Sequence, residues 1–393
     1  MDEITEEQQK VVDELRNRTI DYVTPKMLED VSLFYRFAKA REFNLVQAED
    51  MLKKHIAWRK VMQIDTILTE YEPPEVLVKY IPTNALCFGK DESLVRIVDI
   101  GGTDLKGLWN VSTTTEFMKY VIYVLEKDKD EVLKQGLKLD KPMYSAIYEF
   151  ENMLYANAMS MKTIQLIVML MRMFVDNYPE TIRRIVVINA PIYFGWMYNA
   201  AKRVLPDSIL QKVRIHGKDG WKDNLLEFIY ADDLPMYLGG NKTDPDGNPL
   251  CKTFIHRGCP IPKKYYVSKR VKKLSLDPDV EKITVAPFSK EEITFDVKEE
   301  NSFLEWEFET KHRDINFSLF FTDDSLEDLE PVEIIPLQRI DTSFETEKGS
   351  LKCEKVGKYT ILFDNSFSWI HSKEIYYKAE IRPPTSVDIY EAM

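Results

Sequence analysis

The sequence predicts an α/β domain built on a mainly parallel sheet, preceded by a helical segment and followed by an all-β sandwich. Three observations carry this expectation. Between residues 75 and 250, short apolar runs bounded by turn residues alternate with stretches of helical period. Before residue 72 the pattern is helical alone. Beyond residue 300 the period falls to two over several runs with no good helix between them. A chain of 393 residues, 44% hydrophobic and 30% charged, has apolar mass for two or three such domains.

In the first 72 residues, Asn44 followed by Gln47 predicts a helix start of the capping-box kind. The helix then carries Leu45, Ala48, Leu52 and Ile56 on one face, with Lys53, Lys54 and Arg59 elsewhere. Tyr71-Glu-Pro-Pro74 breaks the pattern, so a boundary falls there. Within residues 73–250, Val95–Ile100 reads as a strand ending at Gly101-Gly102, and Thr113–Glu131 as a helix capped by Thr113 with Glu116. Tyr144–Phe150 reads as a second strand, and Ser160–Asn177 as a methionine-rich helix. Ile185–Ile188 and Val213–Ile215 then flank a helical segment, as in a βαβ unit of a buried parallel sheet. That connector is unusual, because Ile192–Ala201 is apolar on nearly every side. Such a helix is buried, inserted in a membrane or facing something greasy.

Thr243–Pro249 is a turn-forming cluster. Asp244, Asp246 and Asn248 imitate the start of a calcium loop, but Pro249 and Ile255 occupy its glycine and glutamate positions, so a rigid turn is expected. Residues 251–274 read as a linker containing the basic stretch Lys263–Lys273, a surface connection or a point of peripheral membrane contact. Residues 275–383 follow as the sandwich, and 384–393 as a tail. In Phe303–Thr310, Leu304, Trp306 and Phe308 face one way and Glu305, Glu307 and Glu309 the other. The runs at Ile315–Phe321, Tyr359–Phe363 and Ile375–Ala379 repeat this alternation.

Composition removes several classes. No nucleophile elbow, phosphate loop, zinc helix or dinucleotide fingerprint is present, and the five histidines are isolated in sequence from likely partners, so no enzyme is expected and no metal site. The four scattered cysteines form no CxxC pair and suggest free thiols in a reducing, cytoplasmic setting. The start MDEITEEQQK is the opposite of a signal peptide, and no apolar run reaches the length of a membrane span. From Val271 onward 27 acidic residues face 15 basic ones, a net of −12 that equals the whole chain's charge. This argues against nucleic acid as a partner and against simple electrostatic adhesion to anionic membranes.

Other features have two readings each. Met153, Met159, Met161, Met169, Met171 and Met173 suit an irregular core, or an adaptable pocket for varied greasy ligands. Glu180 and Lys212 are single charges beside apolar strands, which read as solvated ends when taken alone.

Residues from about Asp30 to Tyr266 resemble the CRAL-TRIO lipid-binding domain with its helical N-terminal subdomain. The likeness is carried by the segment from Leu33 to Lys60, by NYPETIRRIVVINAPIYF (177–194), by KVRIHG (212–217), by LPMYLGG (234–240) and by TDPDGNPLCK (243–252). Residues 275–383 resemble a GOLD domain through LEWEFET (304–310) and GKYTILFDNSFSWIHSKEIYY (357–377). The resemblance implies a soluble carrier that encloses one lipid above the central sheet, beneath a mobile gate helix at about Ile192–Leu205. By position, it implies a pocket lined by Phe117, Tyr120, Tyr144, Ile147, Leu166, Leu170, Phe174, Phe194, Met197, Tyr198 and Ala201. Phosphatidylinositol-transferring members hold the headgroup with an acid and a lysine at the positions of Glu180 and Lys212, helped by basic residues matching Arg36, Lys39 and Arg41. Lys39 stands where arginine is expected, and Asn152 where relatives tend to have glycine. A neutral ligand such as a tocopherol, a retinoid or squalene stays open beside the phospholipid. The implied partners are the lipid, a membrane touched transiently, and a protein bound through the GOLD domain. The alternative function is a trafficking or signalling adaptor for which lipid is a regulatory ligand.

Overall fold

A reciprocal capping box starts the first helix, α1 (Glu6–Thr19): the Thr5 hydroxyl accepts from the Gln8 amide at 3.2 Å and the Gln8 side chain accepts from the Thr5 amide at 3.0 Å. The computed structural model describes residues 5–112, 114–137, 143–158, 160–266, 274–311, 314–323, 331–342, 346–353 and 355–384. After α2 (Pro25–Leu28) and α3 (Leu33–Lys39), the predicted Asn44 cap accepts from the Gln47 amide (3.1 Å) and opens α4 (Leu45–Val61). Ala48, Leu52 and Ile56 of α4 are buried, as their spacing requires. A short α5 (Ile67–Glu70) ends at the irregular Tyr71–Pro74 segment, where proline withholds a donor and keeps the preceding residue out of the helical region. Pro74 then leads into α6 (Glu75–Tyr80).

Two compact units divide the chain, one of Met1–Lys53, Thr66–Ser112 and Glu116–Tyr266, the other of Lys54–Asp65, Thr113–Thr115 and Val267–Met393. The first holds a five-stranded sheet in sequential order: β1 (Thr83–Phe88), β2 (Leu94–Asp99), β3 (Tyr144–Glu149), β4 (Ile182–Ile188) and β5 (Val213–Ile215). β1 is antiparallel to β2, and the remaining pairs are parallel. Parallel neighbours need crossovers. These are α7 (Leu105–Leu108) with α8 (Thr114–Lys134), α9 (Tyr155–Ala158) with α10 (Met161–Asn177), and α11 (Phe194–Ala201) with α12 (Asp207–Leu210), after which α13 (Trp221–Phe228) follows β5. The Thr113 cap lies outside the described residues. The expected turn at Thr243–Pro249 forms, with the buried Asp244 carboxylate accepting from the Thr253 amide at 3.0 Å.

Register sorts the sheet's side chains onto two faces. Ile147 pairs with Ile97 and Val186, so these three share a face, and they pack with Val95, Ile188 and the α13 residues Trp221, Leu225 and Phe228. Tyr144, Ala146 and Tyr148 lie on the opposite face with Leu94, Arg96, Val98 and Ile185.

The second unit holds two four-stranded antiparallel sheets. One has the order β10 (Val332–Asp341), β9 (Asp314–Thr322), β12 (Gly357–Asp364), β7 (Lys290–Val297). The other has the order β11 (Glu347–Cys353), β8 (Ser302–Thr310), β13 (Lys373–Arg382), β6 (Glu281–Val285). Leu304 and Phe308 on β8, Ile315, Phe317 and Leu319 on β9, and Tyr359 on β12 are fully buried, as the two-residue period predicts. Phe308 stacks on Phe317 at 5.1 Å and meets Phe363 edge-on at 5.0 Å, joining the inner faces of the two sheets.

Candidate functional site

The face of the central sheet opposite α13 is covered unevenly. At the start of the strands Leu94, Tyr144 and Ile182 pack with Val132, Leu125 and Leu133 of α8 and Phe174 of α10. The Tyr144 hydroxyl donates to the Leu125 carbonyl at 2.7 Å. Further along, Arg96 and Val98 on β2, Ala146 and Tyr148 on β3, and Ile185 on β4 are half-buried, whereas Val95, Ile97, Ile147 and Val186 on the α13 side are fully covered. A middle strand flanked by neighbours keeps accessible surface only where the layer above stands off from it. The floor here is apolar apart from Arg96, which donates to the Asp128 carboxylate (2.7 Å from Nε) and to Thr83 Oγ1 (2.9 Å). Burial raises the Asp128 carboxyl in spite of the Arg96 charge, and likewise raises the Tyr120 and Tyr148 phenols, which Arg96 opposes.

The apolar connector runs past the end of β3. Phe194 of α11 meets Phe150 edge-on at 4.9 Å and stacks on Tyr198 at 6.1 Å, and α11 packs on α10. Phe194, Met197 and Ala201, three and four positions apart, are buried, and Tyr198 is half-buried. The other side of the helix is in solvent, with Trp196 61% exposed and Ile192 just ahead of it fully exposed. The predicted gate at Ile192–Leu205 is therefore one short two-sided helix with irregular chain before and after it.

Of the other predicted pocket residues, Phe117 and Tyr120 are buried on α8, Leu166 is buried on α10, and Leu170 and Phe174 are half-buried there. Tyr144 and Phe174 sit in the tightly closed end. Ile147 is not brought to this face, since it lies under α13 on the other side of the sheet. Val98, Ala146 and Tyr148, which carry the accessible surface, are absent from the sequence-based set. Buried parallel strands read as continuous apolar runs, so nothing in Val95–Ile100 or Tyr144–Phe150 shows which residue takes which face. Among the methionines, Met153, Met169 and Met173 are buried and Met171 half-buried, while Met159 and the Met161 side chain lie outside the described set.

The charged residues gather at the other predicted locus. Glu180 follows α10 in a left-handed turn (φ 55°), a conformation uncommon for a non-glycine residue. Its Oε2 faces Lys39 Nζ at 3.4 Å and Lys212 Nζ at 3.7 Å, ion-pair distances rather than tight hydrogen bonds. Arg36, three residues before Lys39, donates to the Pro179 carbonyl at 2.7 Å, to Ser32 Oγ at 3.2 Å and to the buried Asp30 carboxylate. Burial pushes the Asp30 carboxyl up, but the charges of Arg36 and Lys129, with hydrogen bonds from Arg36 and Ser32, outweigh it and hold the group below the usual carboxylate range. One carboxylate thus faces two ammonium groups at this corner. Arg41 is not drawn in; its guanidinium donates to the Ala40 carbonyl at 3.2 Å. Among the described residues no group of three His, Cys, Asp or Glu is placed to hold a metal ion, and no described helix is long and apolar enough to cross a membrane.

Residues 80–240, which contain this sheet, Glu180 and Lys212 but not Arg36 or Lys39, match the CRAL/TRIO domain. Among proteins similar to the whole chain, Protein ctg-1 of Caenorhabditis elegans is 27% identical over 354 residues, 88% of this chain and 90% of its own length. Protein real-time of Aedes aegypti is 27% identical over 314 residues, 76% of this chain and 46% of that longer protein. Protein real-time of Drosophila pseudoobscura pseudoobscura is 28% identical over 235 residues, and this chain spans 34% of it. Among solved structures, the crystal structure of Sfh5 overlaps 67% of this chain and 96% of its own at 15% identity, with a TM-score of 0.49.

Proposed function

We propose that the first unit binds one hydrophobic lipid against the half-covered sheet face and exchanges it at membranes when α11 moves. The observation that carries the reading is the accessible surface on Val98, Ala146 and Tyr148, on the inner strands β2 and β3 of the sheet. The CRAL/TRIO match over residues 80–240 supports it. Phe117, Leu166, Leu170, Met197, Tyr198 and Ala201 supply apolar walls on α8, α10 and α11. Each acyl CH₂ buried gains about 0.8 kcal/mol, so a chain leaves a bilayer only for a site that buries it as well. Exchange of this kind needs a lid and no chemical step.

The finer reading concerns the headgroup. Glu180, Lys39, Lys212 and Arg36 suit an anionic phosphate, as in phosphatidylinositol, and Lys39 offers a point charge where arginine would give a bidentate grip. A tocopherol, a retinoid or squalene would leave this corner idle. In the same proposal residues 275–383 are a GOLD domain, an order that resembles supernatant protein factor, also called tocopherol-associated protein; the expected linker is shorter than 251–274, because residues up to Tyr266 belong to the first unit. Solvent extraction of the purified chain after incubation with vesicles containing phosphatidylinositol, phosphatidylcholine and tocopherol tests both levels. The reading predicts one lipid per chain, and phosphatidylinositol loading reduced about tenfold by Lys212→Ala. Absence of any stoichiometric lipid overturns the carrier reading; unchanged phosphatidylinositol loading in the variant overturns the headgroup assignment alone.

A further inference from the structure

The two ends of the β-sandwich differ in chemistry. Strand pairing puts the β6–β7 and β12–β13 connections at one end, since Val285 pairs with Lys373 and Lys290 with Asp364. These connections are Ala286–Ser289 and Asn365–Ser372, and neither contains an acidic residue. They present Phe288 at 62%, Trp369 at 81% and Ile370 at 79% exposure, with the Phe288 and Trp369 rings 6.0 Å apart. Side chains this exposed protrude from the surface; they do not line a groove.

The protrusion is held rigidly. Asn365, fully buried, donates through Nδ2 to the carbonyls of Val285 and Ala286 (both 3.1 Å) and of His371 (2.9 Å), tying both connections together. Its backbone amide donates to the Ser289 carbonyl at 2.9 Å, and Ser368 Oγ donates to the His371 carbonyl at 2.8 Å. Phe288 itself has φ 60°, a left-handed conformation held within this knot. A fixed scaffold that exposes three large apolar side chains asks for a partner that covers them.

Charge indicates which partner. At this end Asp314, Asp364 and Glu374 each face bases: Arg339 and Lys373, Lys290, and Lys282 with Lys311, respectively. Asp341, which pairs with Asp314, and Glu291 and Glu292 on β7 also stand toward this end, so among the described residues acids and bases there are mixed. The opposite end carries Glu299, Glu300 and Asp323 in its connections. In a unit with a large acidic excess, the aromatic and aliphatic tips thus stand on two connections that carry no acid, at the end away from Glu299, Glu300 and Asp323. We infer that the Phe288–Trp369–Ile370 tip of the sandwich inserts into the interfacial zone of a phospholipid bilayer, with the half-exposed Lys290 and Lys311 at headgroup level. Tryptophan suits that zone because its ring is apolar and its N–H is polar. The acidic remainder of the unit favours zwitterionic over anionic lipid, and apolar insertion makes binding nearly insensitive to salt. The assignment stands on the sandwich alone and is independent of whether the first unit carries lipid.

The test uses the full chain with phosphatidylcholine vesicles. An Ile370→Cys variant in a Cys259→Ser background, labelled with an environment-sensitive dye, should show a blue shift on vesicle addition and quenching by lipids brominated on the upper acyl chain. Phe288→Ser, Trp369→Ser and Ile370→Ser combined should raise the half-saturating lipid concentration about tenfold, by removal of three apolar anchors. The midpoint in 0.5 M salt should match that in 0.1 M. Dye emission that stays unchanged while the chain sediments with vesicles overturns the inference, because another surface then makes the contact. Wild-type chain that does not bind the vesicles overturns it as well, leaving the tip to a protein partner.

Discussion

Asp30 shows how a single buried charge is kept. Its carboxylate is about 1% exposed and its partner Arg36 about 12%, so both have largely left water, and each depends on the other and on Ser32. Breaking such a pair by removing one partner leaves an uncompensated buried charge, and Asp30→Asn should destabilise the chain by about 3–5 kcal/mol in urea unfolding at neutral pH. The pH dependence has a definite sign. The folded-state pKa of Asp30 is depressed, so its stabilisation is present above the ordinary carboxylate range and is lost as pH falls through the folded value. The wild-type urea midpoint should therefore fall in acid more steeply than that of Asp30→Asn; parallel slopes would show that Asp30 does not contribute. Arg36 was legible in the sequence because it lies in the segment that resembles CRAL-TRIO. Asp30 marked only the start of that segment, since a lone aspartate gives no sign of being buried until its neighbours in space are known.

Among elements, central strands and edge strands differed in how readable they were. The four sandwich strands expected from the two-residue period are β8, β9, β12 and β13, and all four are interior to their sheets. The four that the pattern does not reveal, β6, β7, β10 and β11, are all edges. Edge strands dilute the alternation with charge, glycine and proline: β7 begins Lys-Glu-Glu, β10 contains Pro336, and β11 contains Gly349. β1 (TNALCF), an edge of the first sheet, contains no charge, glycine or proline; there a register shift between Ala85 and Cys87 interrupts the pattern instead. Gly349 also has a packing reason. It pairs with Trp306, and a Cβ there would come within 2.0 Å of the indole ring. Gly349→Val should therefore destabilise the sandwich by about 1–3 kcal/mol, measured by thermal unfolding, and an unchanged melting temperature would show that the indole can move aside.

For the whole molecule, the sequence resolves architecture better than site. The α/β arrangement around a parallel sheet and the antiparallel β-rich region that follows are both present. Four of the five charged residues picked by resemblance converge around Glu180 and Pro179, because the turn after α10, the end of α3 and the start of β5 meet there. The apolar wall is less legible. Ile147 and Tyr148 are adjacent in sequence and equally apolar in pattern, yet they lie on opposite faces of β3, and only strand register separates them. The central claim is that the half-covered face, closed by α11, holds a lipid. Met197 is the buried α11 residue whose replacement by aspartate puts a charge where an acyl chain would lie, while the solvent-facing side of the helix is untouched. Native mass spectrometry of full-length wild type and Met197→Asp after vesicle incubation tests this most directly. The account predicts a mass increment of one lipid on the wild type and none on a folded Met197→Asp chain. A variant that retains the wild-type level of lipid, or a wild type that carries none, contradicts it.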